Sequence, residues 1–311
     1  QGNLFGITGG EGTGKSNYVA AIVAGCICPA GADIDTLGIQ ITANGRHKAV
    51  LLYDTEQSEV QLFKNVSNLL ARAKQPDKPD ELKAFCLTGM SRKERLNAIV
   101  QSMDKFYYQY GGIQLVVIDG IADLVKSAND EAESVAVIDE LYRLAGIYNT
   151  CILCVLHFVP NGLKLRGHLG SELQRKAATI LSIEKDEEPT QSVVKALKVR
   201  DGSPLDVPLM LFAWDKEAGM HVYKGEKPRE EKEKRKEREL VNVARDIFGR
   251  QTRITYIDLC EQLQQVLDIK ERTAKSYIRF MRERDIITKD TANQSCFVIG
   301  SYNLQRNASC P

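Results

Sequence analysis

The chain has 311 residues, 43% hydrophobic and 27% charged, enough apolar mass for one large domain and a smaller one. Its net charge is only +1, so global charge by itself points to no nucleic-acid partner. No signal-peptide pattern and no apolar run of membrane-spanning length occurs, and the eight scattered cysteines build no metal framework, which together suit a reduced, cytoplasmic protein without membrane contact.

The charge divides unevenly. Residues 1–225 carry 24 Lys/Arg against 27 Asp/Glu, a net −3, whereas residues 226–311 carry 18 against 14, a net +4. Any nucleic-acid contact outside the first domain is therefore expected in the tail. The chain starts at Gln1, without Met and almost on its first strand, which suggests a processed product or a missing upstream segment.

Taken in order, an apolar run of strand character at 4–8 enters Gly9-Gly10-Glu11-Gly12-Thr13-Gly14-Lys15-Ser16, and a helix-compatible segment from Asn17 leaves it. This is a full G-x-x-x-x-G-K-[ST], a pattern that chance places in a chain of this length about once in a hundred sequences. Glycines let the backbone wrap with its N–H groups inward, and the following helix adds its N-terminal dipole. Residues Gly9 to Asn17 are thus the expected cradle for a nucleotide's phosphates, with Lys15 reaching the β and γ phosphates and the Ser16 hydroxyl on Mg²⁺.

A small-residue stretch, 26–48, follows, with a strand expected at 37–41. The apolar run 49–54 reads as a buried strand ending in Asp54, and Val60, Phe63, Val66, Leu69 and Leu70 then mark a helix. A strand is expected at 84–87 and a helix over 91–110, opened by Ser91 with Glu94 three residues on. The run 113–119 is a second buried strand ending in an acid. A helix over 130–148 leads to a strand at 151–157, where Cys151 and Cys154 read as buried strand cysteines rather than a redox pair or half a zinc site. The segment 158–170 reads as a Gly-rich, basic loop. Strands at 179–184, 192–199 and 210–214 then follow one another without helices.

Strand–helix alternation before an antiparallel meander argues an α/β fold, a mostly parallel sheet flanked by helices with an antiparallel extension. The charged stretch 226–239 reads as a solvated linker or helix between a first domain at 1–225 and a second at 240–311. In the second, helical spacing of Leu240, Val243, Ala244, Ile247 and Phe248 is followed by a helix opened by Thr255 and another near 270–284. The last buries Ala274, Ile278 and Met281 and turns Arg272, Lys275, Arg279 and Arg282 outward. With a terminal hairpin at 286–288 and 295–299, the tail resembles a winged-helix domain, whose basic helix face suits duplex DNA.

Three acids and a histidine carry the expected chemistry. Glu56, just past a strand end, suits the base that orients and deprotonates an attacking water, or else is an ordinary helix N-terminal acid. Asp119 has the Walker B position and suits Mg²⁺ through its water shell, with Asp54 and Asp123 as weaker alternatives. His157, at the next strand end, suits a γ-phosphate sensor. From the residues alone, Lys198 and Arg200 are either exposed strand cations or, if subunits form a ring, groups lent to a neighbour's phosphate.

The order GGEGTGKS, YDTEQS, VVIDG, CVLH, RGHLGSE and KVRDG resembles the RecA/DnaB-like hexameric ATPases over about residues 4–215, and among them the plasmid and mobile-element replication helicases. That resemblance implies an ATP- and Mg²⁺-dependent motor on DNA with Glu56 as catalytic base, Asp119 as Walker B acid and His157 as sensor. It also implies Lys198 and Arg200 acting in trans, a hexamer-type ring, and a channel loop at 161–170 touching single-stranded DNA through Lys164 and Arg166. This chain departs from the family in reading Arg166-Gly167-His168 where Arg-Gly-Ser is common, and in lacking the N-terminal ring domain of replicative helicases. The rival reading is an ATP-gated DNA-binding regulator, or a loader or recombinase-like accessory ATPase without unwinding activity.

Overall fold

The computed structural model describes residues 2–157, 167–186, 188–227, 232–249, 251–291 and 293–301, with only the backbone of 232–236. The chain packs as two units, 1–228 and 229–311. In the first, β1 (Asn3–Gly9), β2 (Ala49–Asp54), β3 (Leu82–Cys86), β4 (Ile113–Asp119), β5 (Cys151–His157) and β6 (Thr179–Lys185) are the parallel strands. The antiparallel strands β7 (Gln191–Val199), β8 (Leu209–Asp215) and β9 (Met220–Lys227) extend them. The nine-stranded order is β3-β2-β4-β5-β1-β6-β7-β8-β9. It is the RecA-like layout, with helices on both faces of the parallel part.

The apolar strands need cover on both sides, and the helices supply it. α1 (Lys15–Ile27) and α2 (Glu59–Arg72) cover one face, where Tyr18, Ile22, Leu62 and Leu69 pack on Ile7, Leu52, Val117 and Val155. α3 (Arg92–Tyr110), α4 (Glu131–Ile147) and α5 (Gly167–Lys176) cover the other with Ile99, Met103, Ile138, Leu141, Leu169 and Leu173. Strand alternation sends Cys154 to this second face and Cys151 to the first, so the C-x-x-C spacing forms neither a bridge nor a metal site. Burial raises both thiols, Cys151 to about 11.

Several expectations need correction. The stretch 37–41 is a loop: Leu37 and Gly38 take left-handed φ of 57° and 87°, and the Thr36 hydroxyl donates to the Ile39 carbonyl, closing a turn. Its apolar residues signal burial, since Leu37 is fully buried, and not pairing. The segment read as a loop to residue 170 is helical from Gly167 onward. β9 went unread because its sequence lacks a continuous apolar face; Tyr223 and His221 are held instead by pairing with β8.

In the second unit, α6 (Lys232–Phe248) joins much of the charged stretch and the apolar-spaced residues after it in one helix, so linker and first tail helix are not separate elements. α7 (Tyr256–Leu267) and α8 (Glu271–Glu283) follow, and β10 (Ile254–Thr255), β11 (Ile287–Lys289) and β12 (Cys296–Ile299) form a sheet ordered β10-β12-β11. Leu240, Ile247, Leu259, Leu263, Ala274, Ile278, Met281 and Phe297 make its core.

Candidate functional site

The site lies at the carboxyl ends of the parallel strands. The loop from Gly9 to Gly14 turns through φ of 159° at Gly9, 67° at Gly12 and 96° at Gly14, the last two in the left-handed region that glycine reaches without penalty. A Cβ at Gly9 would lie 2.3 Å from the Ile183 carbonyl oxygen, so close strand packing also demands glycine there. Gly14 caps α1, whose first residue is Lys15, and Ser16 is exposed beside it. The Lys15 ammonium is buried to 8% exposure and donates to the Gly9 carbonyl at 3.0 Å and the Gly10 carbonyl at 2.7 Å. Burial lowers its pKa, opposed by Asp119, Glu56 and Glu11.

Register gathers the acids. Asp54 pairs with Asp119 and Asp119 with Val155, while Gly9 pairs with His157, so four adjacent strands end side by side. The Asp54 carboxylate accepts from the Glu56 and Gln57 amides at 3.0 and 2.8 Å, which turns the chain sharply after β2. The Thr55 hydroxyl accepts from the Gly120 amide at 2.9 Å, and the Thr55 amide donates to the Asp119 carbonyl at 2.7 Å. Residues after β2 are thereby stitched to the end of β4. A Cβ on Gly120 would fall 2.4 Å from a Glu56 carboxylate oxygen, so this glycine makes room for the base candidate. The other Glu56 oxygen lies 3.5 Å from His157 Nε2.

Asp119 is pushed up to about 7, by burial first and then by Asp54 and Glu56, with Lys15 and His157 opposing. Asp54 is also raised, chiefly by burial. The cluster thus holds more carboxylate than its own cations neutralise, the electrostatics of a place that takes up a divalent cation. Among the described residues no group of three or more His, Cys, Asp or Glu could hold a metal by itself. Ser16 and Asp119 fit the sparse protein share of Mg²⁺ coordination, where phosphates and water supply the rest.

The remaining expected residues lie elsewhere. Lys198 is level with Gly6 through Ile180, and Val199 with Phe5 through Thr179, so Lys198 and Arg200 stand toward the opposite edge of the sheet from the phosphate loop. Lys198 donates to the Gln174 and Arg175 carbonyls at 2.6 and 3.1 Å, and Arg200 to the Lys176 carbonyl at 2.7 Å and to Asn3 at 3.1 Å. Within one chain both cap the C-terminus of α5 and neither approaches Lys15. Asp123 is also apart, 3.7 Å from Arg95. Lys164 and Arg166 lie outside the described residues. On α8, Arg272, Lys275, Arg279 and Arg282 are exposed along one side, with Lys275 paired to Glu271, Arg279 to Glu283, and Arg282 over the Phe297 ring.

Sequence reading passed over Thr55 and Gly120, whose parts depend on a neighbouring strand. Their only local signal is position: a small polar residue between two acids, and a glycine after a strand-end acid.

A family model described as AAA domain (AAA_25) matches residues 1–161. No curated protein matches the chain. Among solved structures it is similar to the ATPase domain of a DnaB-like helicase, at 16% identity over 71% of this chain and 84% of that one, with a TM-score of 0.50. A KaiC-like protein from the hyperthermophilic archaeon Pyrococcus horikoshii OT3 aligns at 13% identity over 72% of this chain and 90% of that one, with a TM-score of 0.49.

Proposed function

The chain belongs to the AAA domain family, and from that premise we propose that it is a Mg²⁺-dependent ATPase working on DNA as a ring of identical subunits, a helicase or translocase serving replication or mobilisation of a genetic element. The observation that carries this reading is the alignment of strand ends that brings Lys15, Glu56, Asp119 and His157 to one mouth.

In this reading the loop amides from Gly9 to Gly14, with Asn17 in the helix's first turn, cradle the phosphates. Lys15 exchanges its own carbonyls for phosphate oxygens. Ser16 and Asp119 hold Mg²⁺, which supplies charge neutralisation on the phosphates. Glu56 accepts the proton of the attacking water, and His157, at its side, senses the γ-phosphate. Lys198 and Arg200, remote from their own chain's site, serve the neighbouring subunit's phosphate. Lys164 and Arg166 face single-stranded DNA, and the basic side of α8, in a unit of winged-helix kind, meets duplex phosphates.

The test is phosphate release by the full chain with and without single-stranded DNA. Clear stimulation, removed by Glu56→Gln at a loss of roughly 10²–10⁴-fold with ATP binding retained, is expected. Turnover indifferent to single strands would favour the ATP-gated regulator, and near-normal turnover in Glu56→Gln would remove that residue as base.

A further inference from the structure

Four aromatic rings run in a row away from the phosphate loop. Gly14 lies so close to Phe212 of β8 that a Cβ there would fall 2.8 Å from the ring. Phe212 is fully buried and stacks on Tyr18 of α1, with centroids 6.0 Å apart. Its other neighbour is His221 of β9, edge-on at 5.6 Å, and His221 meets Trp214 edge-on at 5.5 Å. Strand geometry makes the row directional. Met210 is level with Gly9 through Val194 and Ile183, so Phe212 and then Trp214 climb past the loop, on the face that α1 covers. Successive rings on one strand face stand about 7 Å apart, roughly the reach of a ribose and one phosphate.

The row ends in the open. Trp214 is 55% exposed, although it is a large apolar ring flanked by buried ones. Only its inner edge is engaged, by His221 across the strand pair. His221 in turn is kept neutral by burial and by the Arg72 guanidinium, which donates to its carbonyl at 2.6 Å. Arg72 also grips the Asp35 carbonyl, and the Asp35 carboxylate takes the Tyr223 amide, so the loop before β2 braces β9 behind the indole. An aromatic surface that is rigidly backed, uncharged and one strand step beyond a phosphate loop suits a flat heteroaromatic ring.

We propose that Trp214 is the platform on which the nucleobase of the bound nucleotide stacks, with Phe212 and His221 as positioning residues. This rests on the phosphate-site reading and adds to it the base-recognition half of the site. Stacking is tolerant of which purine is presented, so discrimination between adenine and guanine is expected to be weak.

Trp214 is the sole tryptophan of the chain, which gives the experiment its signal. Emission of the full chain is followed while Mg²⁺-ATP or inorganic tripolyphosphate is added, with affinities taken independently by calorimetry. ATP should quench the indole and tripolyphosphate should bind without doing so. Trp214→Ala should weaken ATP roughly 5- to 100-fold, the usual range for a lost base stack, and leave tripolyphosphate affinity unchanged, while Trp214→Phe restores most of the loss. Equal quenching by both ligands, no quenching at saturating ATP, or an equal loss for both ligands in Trp214→Ala would overturn the platform. The phosphate-site reading is judged separately, by whether Lys15→Ala loses tripolyphosphate. A parent chain that bound neither ligand would overturn both.

Discussion

Asp119 is the residue whose environment departs furthest from what a solvated carboxylate experiences. A carboxyl raised to about 7 keeps its proton in the folded chain where the unfolded chain has lost it. Its stabilising contribution is therefore full below the unfolded value near 3.8 and drains away as pH climbs to about 7. Asp119→Asn preserves shape and removes the charge. Without divalent cations it should melt several degrees above the parent at pH 8, at about 2–4 °C per kcal/mol, with the gap closing towards pH 4. Thermal unfolding across that range checks this, and an equal shift at both ends would mean that burial of charge is not what strains the site. The acid at the end of an apolar strand was legible from its neighbours in sequence. Its perturbation was not, because Asp54 and Glu56 reach it only through the pairing of β2 with β4.

At the scale of elements, local chemistry was the better guide wherever a helix carried its own start signal. α3 begins where Ser91 and Glu94 predicted: the Ser91 hydroxyl accepts from the Glu94 amide, and the Glu94 carboxylate takes the Ser91 amide at 2.8 Å. Ser91→Ala should cost about 1 kcal/mol, seen as a melting point about 2–4 °C lower with ATP binding unchanged. An unaltered melting point would show that tertiary packing alone sets the end of α3. Segments without such a signal were misread. The apolar spacing at 37–41 looks like a strand, yet its hydrogen bonds go to a turn, and Asp35 rather than a partner strand anchors it, taking the Leu37 amide at 2.7 Å. β9 shows the converse, a strand defined by its neighbour.

The whole molecule poses a question that a single copy does not answer. Lys198 and Arg200 stand on the side of the sheet away from their own phosphate loop, so any part in hydrolysis must be played on another copy. Arg200→Ala should bind ATP normally and turn over poorly alone. Mixed with Glu56→Gln, which keeps Arg200 but lacks the base, it should regain part of the parent turnover. Absence of recovery over a range of mixing ratios would count against action across an interface, and would leave the two cations as caps on α5.

From the order of residues alone came the phosphate loop, the two strand-end acids, the parallel-then-antiparallel plan and the basic face of α8, because each is written within a few consecutive residues by spacing, turn chemistry or strand length. Only the folded sheet decided that Asp54 raises Asp119, that Gly120 leaves room for Glu56, that Lys198 and Arg200 are turned from their own site, and that Trp214 lies in line with Gly14. Those relations join residues tens to hundreds of positions apart, and strand order and register, which no local pattern specifies, bring them together.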